Sequence, residues 1–91
     1  MVRWHRQRSQ VAEAARALLE MGLVGPRSGN VSMRLPGPQG GYLVAITPAR
    51  AYHRDLKAEQ VPILDPEGEP VEGDALPSSE TALHLAIYKA R

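Results

Sequence analysis

The chain has no cysteine and no phenylalanine, and its aromatic residues are confined to Trp4, Tyr42, Tyr52 and Tyr88. Without cysteine there is no disulfide framework and no thiolate chemistry. With so few rings, the core of a 91-residue chain has to be built from Leu, Val, Ile, Ala and Met, and a chain of this length buries only a modest fraction of its surface. Neither charge is in excess: 11 basic residues face 10 acidic ones. That balance argues against an obligate nucleic-acid binder, which carries a basic surplus. No apolar run is long enough to span a bilayer, and no basic-then-apolar leader precedes the domain. The expectation is a soluble cytoplasmic protein without a nucleic-acid or membrane partner. The basic N-terminal residues Arg3, His5, Arg6 and Arg8 read as a solvated helix start rather than a binding arm.

What the chain does contain is punctuation. Eight glycines and eight prolines divide it into short elements. Val11, Ala15 and Leu18, widened by Ala14 and Leu19, mark a helix over about Arg8 to Gly22, with Ser9 able to cap its start. Gly22 or Gly25 supplies the left-handed ending, and Pro26 forbids continuation. After the turn at Arg27 to Asn30, Val31, Met33 and Leu35 alternate with Ser32 and Arg34, the pattern of a half-buried strand. The "YLVAI" run from Tyr42 is a second strand, paired with the first as an antiparallel hairpin. One helical turn is expected near Asp55 to Gln60. A short strand follows at Val61 to Leu64, where Pro62 suits an edge or a strand start. "DPEGEPVEG" is turn chemistry. The last helix spans "SSETALHLAIYKAR", with Leu83, Ile87 and Ala90 on one face and Ala86 beside them. The order of helix, strands and helix predicts an α+β domain with a small, mainly antiparallel sheet. Residues 1–91 form one unit without linker or repeat.

The stretches that carry chemistry each have two readings. In "LPSSET", Leu76 to Thr81, Ser78 is a good N-cap, and Glu80 complements the positive end of the helix dipole. The same helix start offers free N–H groups, and with the hydroxyls of Ser78 and Ser79 it can cradle a phosphate. Glu80 beside it can serve as a general acid or base. "SGNVS", Ser28 to Ser32, is either a plain turn or an anion-binding nest in which Gly29 gives backbone and Asn30 an amide. In "ITPAR", Thr47 can direct its hydroxyl toward a site at the strand end, and Arg50 is either a surface charge or an anion partner. Glu80 and His84 lie four apart and can share a metal, or His84 is a partly buried helix residue. His5 and His53 are lone and uninformative. The chain holds no compact set of three or four ligands.

Order and spacing together are more specific than any one motif. "LLEMGLV", then "SGNVS", a strand into "ITP", and "LPSSETALHLAIYKAR" resemble the N-terminal part of the class II aldolase/adducin family, which includes L-fuculose-phosphate and L-ribulose-phosphate aldolases. The resemblance runs from about Gln10 to Arg91. It implies α/β/α layers around a mainly antiparallel sheet. It implies that Gly29, Asn30, Ser78 and Ser79 bind the phosphate of a sugar phosphate, joined by Thr47 and Arg50. It gives Glu80 as the acid/base carboxylate at a divalent metal, usually zinc, which polarises the carbonyl and stabilises an enediolate. Two positions depart from the family pattern. Ala49 and Arg50 stand where a hydroxyl residue and a glycine usually meet phosphate, and Arg27 stands where a small hydroxyl residue is often found. Both arginines can hold phosphate or carboxylate bidentately. In the family, a His-x-His strand and a later histidine hold the metal, and both lie beyond Arg91. The domain is therefore expected to be incomplete, with only a partial metal site at Glu80. Two functions follow: an aldolase-type lyase finished by a second chain or neighbouring subunit, or a non-catalytic adducin-like assembly module or inactive truncated paralogue. Open strand edges predict a homo-oligomer or a completing partner.

Overall fold

The computed structural model describes residues 4–25, 29–50, 52–73 and 75–91. Arg3, Pro26, Arg27 and Ser28, for which expectations are given above, lie outside the described residues. The first helix, α1 (His5–Glu20), starts one turn earlier than the apolar pattern predicts, after Trp4 and without a side-chain cap, so Ser9 is an interior residue. The reason is Arg8. It continues the stripe of Val11, Ala12 and Ala15 at helical spacing and is itself buried, its guanidinium packed beside Gly73. A charged side chain counts as polar in a periodicity reading, yet here the whole side chain lies inside, Nε and Nη2 enclosed without a hydrogen-bond partner among the described residues. Of the basic N-terminal group, His5 and Arg6 are exposed while Arg8 is not solvated. α1 ends as expected at Gly22, which is left-handed at φ 73°. Gly22 N–H donates to the Leu19 carbonyl and Leu23 N–H to that of Leu18, each at 3.0 Å, the crossed pair that satisfies the last free carbonyls.

The hairpin forms where the alternation places it: β1 (Ser32–Pro36) pairs antiparallel with β2 (Tyr42–Ile46), Ser32 opposite Ile46 and Pro36 opposite Tyr42. β3 (Ile63–Leu64) pairs antiparallel with β2, and β4 (Pro70–Glu72) with β3. The sheet is four-stranded in the order β1-β2-β3-β4. β3 is thus an interior strand, and Pro62 sits just before it, its carbonyl accepting from Ile46 N–H at 3.3 Å. Asp65 Oδ1 accepts from the N–H groups of Glu67 and Glu69 at 2.9 Å each, closing the β3–β4 turn. Between β2 and β3 the chain makes two 3₁₀ turns, His53–Asp55 and Ala58–Gln60, in place of one helical turn.

The "YLVAI" run lacks polar alternation because both of its faces are covered. Leu43, Ala45, Leu35 and Ile63 pack with Val11, Ala12 and Ala15 of α1 and with Leu56 and Val61. Val44, Ile46 and Leu64 pack on the other side with Leu85 and Tyr88 of α2 (Thr81–Lys89). The result is three layers, helix on sheet on helix. α2 is not oriented as its apolar residues suggest: Leu83 and Ile87 are 57 % and 48 % exposed, and Ala86 and Ala90 are exposed with them. The helix turns Leu85 and Tyr88 to the sheet, with His84 on the same side (see below). No helix among the described residues is long and apolar enough to cross a membrane.

Candidate functional site

The site forms where three connections meet at one end of the sheet. β2 runs out at Ile46 into Thr47, which is 1 % exposed. Thr47 N–H donates to the Val31 carbonyl at 3.0 Å, and Val31 N–H returns to Thr47 Oγ1 at 3.2 Å. Thr47 thereby fixes the stretch that leaves the Gly29–Asn30 turn. On its other side the Thr47 carbonyl accepts from Ser78 N–H at 3.0 Å, and Ala49 N–H donates to the Leu76 carbonyl at 2.7 Å. This short antiparallel bridge, centred on Pro48 and Pro77, brings the "LPSSE" segment alongside "TPAR". One threonine therefore ties all three motif-bearing segments together.

Each segment then turns sharply. Gly29 adopts φ 81°, and a Cβ there would lie 2.5 Å from Val24 Cγ1, so both conformation and space select glycine. Arg50 is left-handed at φ 59°, a conformation that costs a residue with a Cβ roughly 1–2 kcal/mol. In the third segment, Ser78 Oγ accepts from Glu80 N–H at 3.1 Å, and the Ser78 carbonyl accepts from Thr81 N–H at 3.1 Å and from Thr81 Oγ1 at 2.6 Å. Ser78 thus caps as the sequence suggests, but it caps the turn ahead of α2. Glu80 occupies the position before the first helical residue instead of the first turn.

These turns enclose a cleft of about 560 Å³, within the usual range for a small-molecule site. Gly29 and Asn30 form one wall, Pro48 to Arg50 with His53 a second, and Leu76 to Glu80 the third. Gly29, Asn30, Arg50, Ser78, Ser79 and Glu80 are therefore brought together. Thr47 is not part of the lining: its buried hydroxyl serves the Val31 backbone from beneath. Ser79, Glu80, Gly29 and Arg50 are exposed, so donors and carboxylate alike face solvent across the cleft.

His53 is the lining residue that the sequence did not single out. It is 3 % exposed, and its Nδ1 is enclosed without a hydrogen-bond partner among the described residues. Burial pushes its pKa below the ordinary value of 6.5, because the charged ring loses its hydration. A lone histidine in an irregular stretch gives little signal; its place three residues after Arg50 is the hint the sequence carries.

His84 does not stand ready as a metal ligand beside Glu80. Its Nε2 is hydrogen-bonded to Asn30 Oδ1, and its Nδ1 lies 2.6 Å from Ser32 Oγ, so neither ring nitrogen is unengaged. No three His, Asp or Glu side chains converge among the described residues. The described residues thus do not assemble a metal centre by themselves.

Comparison with known proteins agrees with this architecture. Residues 9–91 match the model of the class II aldolase and adducin N-terminal domain. A 5-deoxy-D-ribulose 1-phosphate aldolase of Bacillus thuringiensis serovar kurstaki is 35 % identical over 86 residues, covering 94 % of this chain and 39 % of that protein. The structure of an L-fuculose 1-phosphate aldolase superposes with a TM-score of 0.83 at 28 % identity, over 99 % of this chain and 41 % of that one. A putative aldolase/epimerase/decarboxylase from Escherichia coli gives 0.76 at 25 % identity, over 93 % of this chain and 39 % of that one. The chain thus spans about two-fifths of the length of these relatives. With its matched region running from the first helix through the last, the chain belongs to the class II aldolase and adducin N-terminal domain family.

Proposed function

We infer that this chain carries the phosphate-holding and proton-transfer part of an aldolase-type lyase site that acts on a sugar phosphate. The observation that carries the reading is the convergence of Gly29, Asn30, Arg50, Ser78, Ser79 and Glu80 on one cleft from three separate segments. Their chemistry is divided. The Gly29 turn, the Asn30 amide, the serine hydroxyls and the Arg50 guanidinium are donors suited to a phosphate. Glu80 is a carboxylate at the edge of that donor set, placed to take up or return a proton on the carbon skeleton whose phosphate is held beside it. The relatives named as phosphosugar aldolases support the substrate class.

In the family, a divalent metal polarises the substrate carbonyl, and Glu80 is the carboxylate of the cleft lining that would help to hold one. The exposed apolar face of α2 supports a homo-oligomer or a completing chain as partner, since such a face is ordinarily covered by protein. Titration with phosphoglycolate tests the reading. Backbone amide signals of Gly29 and Ser79 should shift together in a saturable manner, and Ser79→Ala should weaken the binding. Absence of saturable shifts at both positions would overturn it.

A further inference from the structure

We propose that His84 is a positioning residue, which with Ser32 and Tyr88 fixes the Asn30 side chain so that its NH₂ group, and not its carbonyl, faces the cleft. The inference rests on the anion-binding reading above and deepens it. Asn30 lines the cleft, and its Oδ1 is turned away to His84 Nε2. An amide oxygen only accepts, so His84 Nε2 carries the hydrogen. In a neutral ring Nδ1 is then an acceptor, and Ser32 Oγ donates to it across 2.6 Å. With its hydrogen committed, Ser32 Oγ accepts from Tyr88 OH at 2.7 Å. The hydrogens run one way, Tyr88 to Ser32 to His84 to Asn30. Such chains polarise one another and gain from alignment.

With the ring neutral, reversing any link reverses them all. A flipped Asn30 would donate to Nε2, which would move the ring hydrogen to Nδ1, send the Ser32 hydrogen to Tyr88, and present a carbonyl to the cleft. A carbonyl repels phosphate, whereas an NH₂ group donates to it. The tautomer of His84 therefore reports which end of Asn30 an anion meets. It also explains why a helix with an apolar stripe turns His84 and Tyr88 inward: both side chains reach Ser32 on β1, and His84 carries the chain on to Asn30 at the cleft.

Three readouts test this. Ring ¹⁵N shifts of His84 in the unliganded chain, read where the ring is neutral, should show hydrogen on Nε2 and none on Nδ1; hydrogen on Nδ1 with none on Nε2 overturns the proposal. A double-mutant cycle follows phosphoglycolate affinity in His84→Ala, Asn30→Ala and the pair. His84→Ala should weaken binding about tenfold, the scale of one hydrogen bond to a charged group, and the pair should bind no worse than Asn30→Ala alone. Additive losses would show that His84 acts elsewhere and overturn the proposal. Should His84→Ala disturb α2, Ser32→Ala provides the milder variant: it leaves the helix packing in place, frees the tautomer and should weaken binding about two- to threefold, less than a full hydrogen bond. An unchanged ring spectrum and affinity in that variant would overturn the proposal. A wild-type chain that binds no phosphoglycolate refutes the phosphate reading of the cleft, and the His84 tautomer then still decides whether the relay has the stated direction.

Discussion

Val31 and Thr47 hold each other through two hydrogen bonds, Thr47 N–H to the Val31 carbonyl at 3.0 Å and Val31 N–H to Thr47 Oγ1 at 3.2 Å. A backbone interaction and a side-chain interaction thus close one ring between the exit of the Gly29–Asn30 turn and the end of β2. Thr47→Val keeps the shape and removes the acceptor, leaving Val31 N–H unpaired at a cost of about 1–3 kcal/mol. Thr47→Ser keeps the acceptor and should recover most of it. Thermal unfolding of the two variants checks the difference. Because Thr47 also accepts from Ser78 N–H, phosphoglycolate affinity should fall with stability in the valine variant even though Thr47 does not line the cleft.

Arg50 should behave in the opposite way, with stability and binding uncoupled. Its left-handed φ of 59° carries a cost of about 1–2 kcal/mol that glycine avoids. Against this, glycine adds about 0.4–1 kcal/mol of unfolded-chain freedom. Arg50→Gly should therefore leave stability unchanged or raised, by up to about 1.5 kcal/mol. Phosphoglycolate binding should weaken about tenfold or more with the loss of a charge-assisted partner, and its dependence on salt should lessen. Retained affinity in calorimetry would mean that Arg50 is a surface charge. A strained residue kept at a cleft wall is the pattern expected where conformation serves a site.

Gly29→Ala is expected to be costly for two separable reasons. The substituted residue must hold φ 81°, and its Cβ would lie 2.5 Å from Val24 Cγ1. Together these should destabilise the chain by about 2 kcal/mol or more. Adding Val24→Ala opens the space and leaves the conformational penalty, so the double variant should lose less than the sum of the single losses. Chemical denaturation of the four species measures the coupling.

The legible parts of this fold are those in which one residue type has one physical meaning. The glycine stop at Gly22, the alternation through Val31, Met33 and Leu35, and the apolar "YLVAI" run all led to the elements observed. The cleft followed from motif order more than from any single residue, since Ser78 caps a turn whether or not an anion sits on it. Ambiguous side chains defeated the reading. Arg8 counts as charge in a pattern but is buried whole, guanidinium included, so periodicity starts α1 a turn late. On α2, the stripe of Leu83 and Ile87 outscored His84 and Tyr88, whose inward orientation is set by hydrogen bonds to Ser32. Ser32 is 52 and 56 residues away in sequence, and hydropathy carries no record of such partners. In sequence Thr47 reads as a ligand donor, because its hydroxyl has no visible partner until the chain is folded.

His53 gives the chain an acid-sensitive stability. Burial holds its folded pKa below the ordinary 6.5, so on acidification the unfolded chain takes up the proton first. Stability from the neutral buried ring is fully present above about pH 6.5 and declines as pH falls below it toward the folded pKa. His53→Phe removes this dependence and should flatten the curve of unfolding free energy between about pH 5 and 6.5, where most carboxylates are still ionised. An unaltered pH profile in the phenylalanine variant would show that His53 titrates normally.

The outer face of α2 predicts association. Leu83 and Ile87 are one turn apart and 57 % and 48 % exposed, so covering them gains roughly 1 kcal/mol each. The gain repeats on the second copy if two such faces meet across a two-fold axis. The chain should therefore scatter light as a species larger than its 9.9 kDa mass, and a monodisperse 9.9 kDa particle would contradict this. The pair Leu83→Glu and Ile87→Lys separates the face from the helix. Glu four residues before Lys supports helix formation by about 0.2–0.5 kcal/mol, and the net charge does not change. Circular dichroism should thus show α2 intact while the assembly dissociates. If the double variant stays as large as the parent, another surface joins the copies, and the outermost strands of the described sheet, β1 and β4, are then the next surfaces to block.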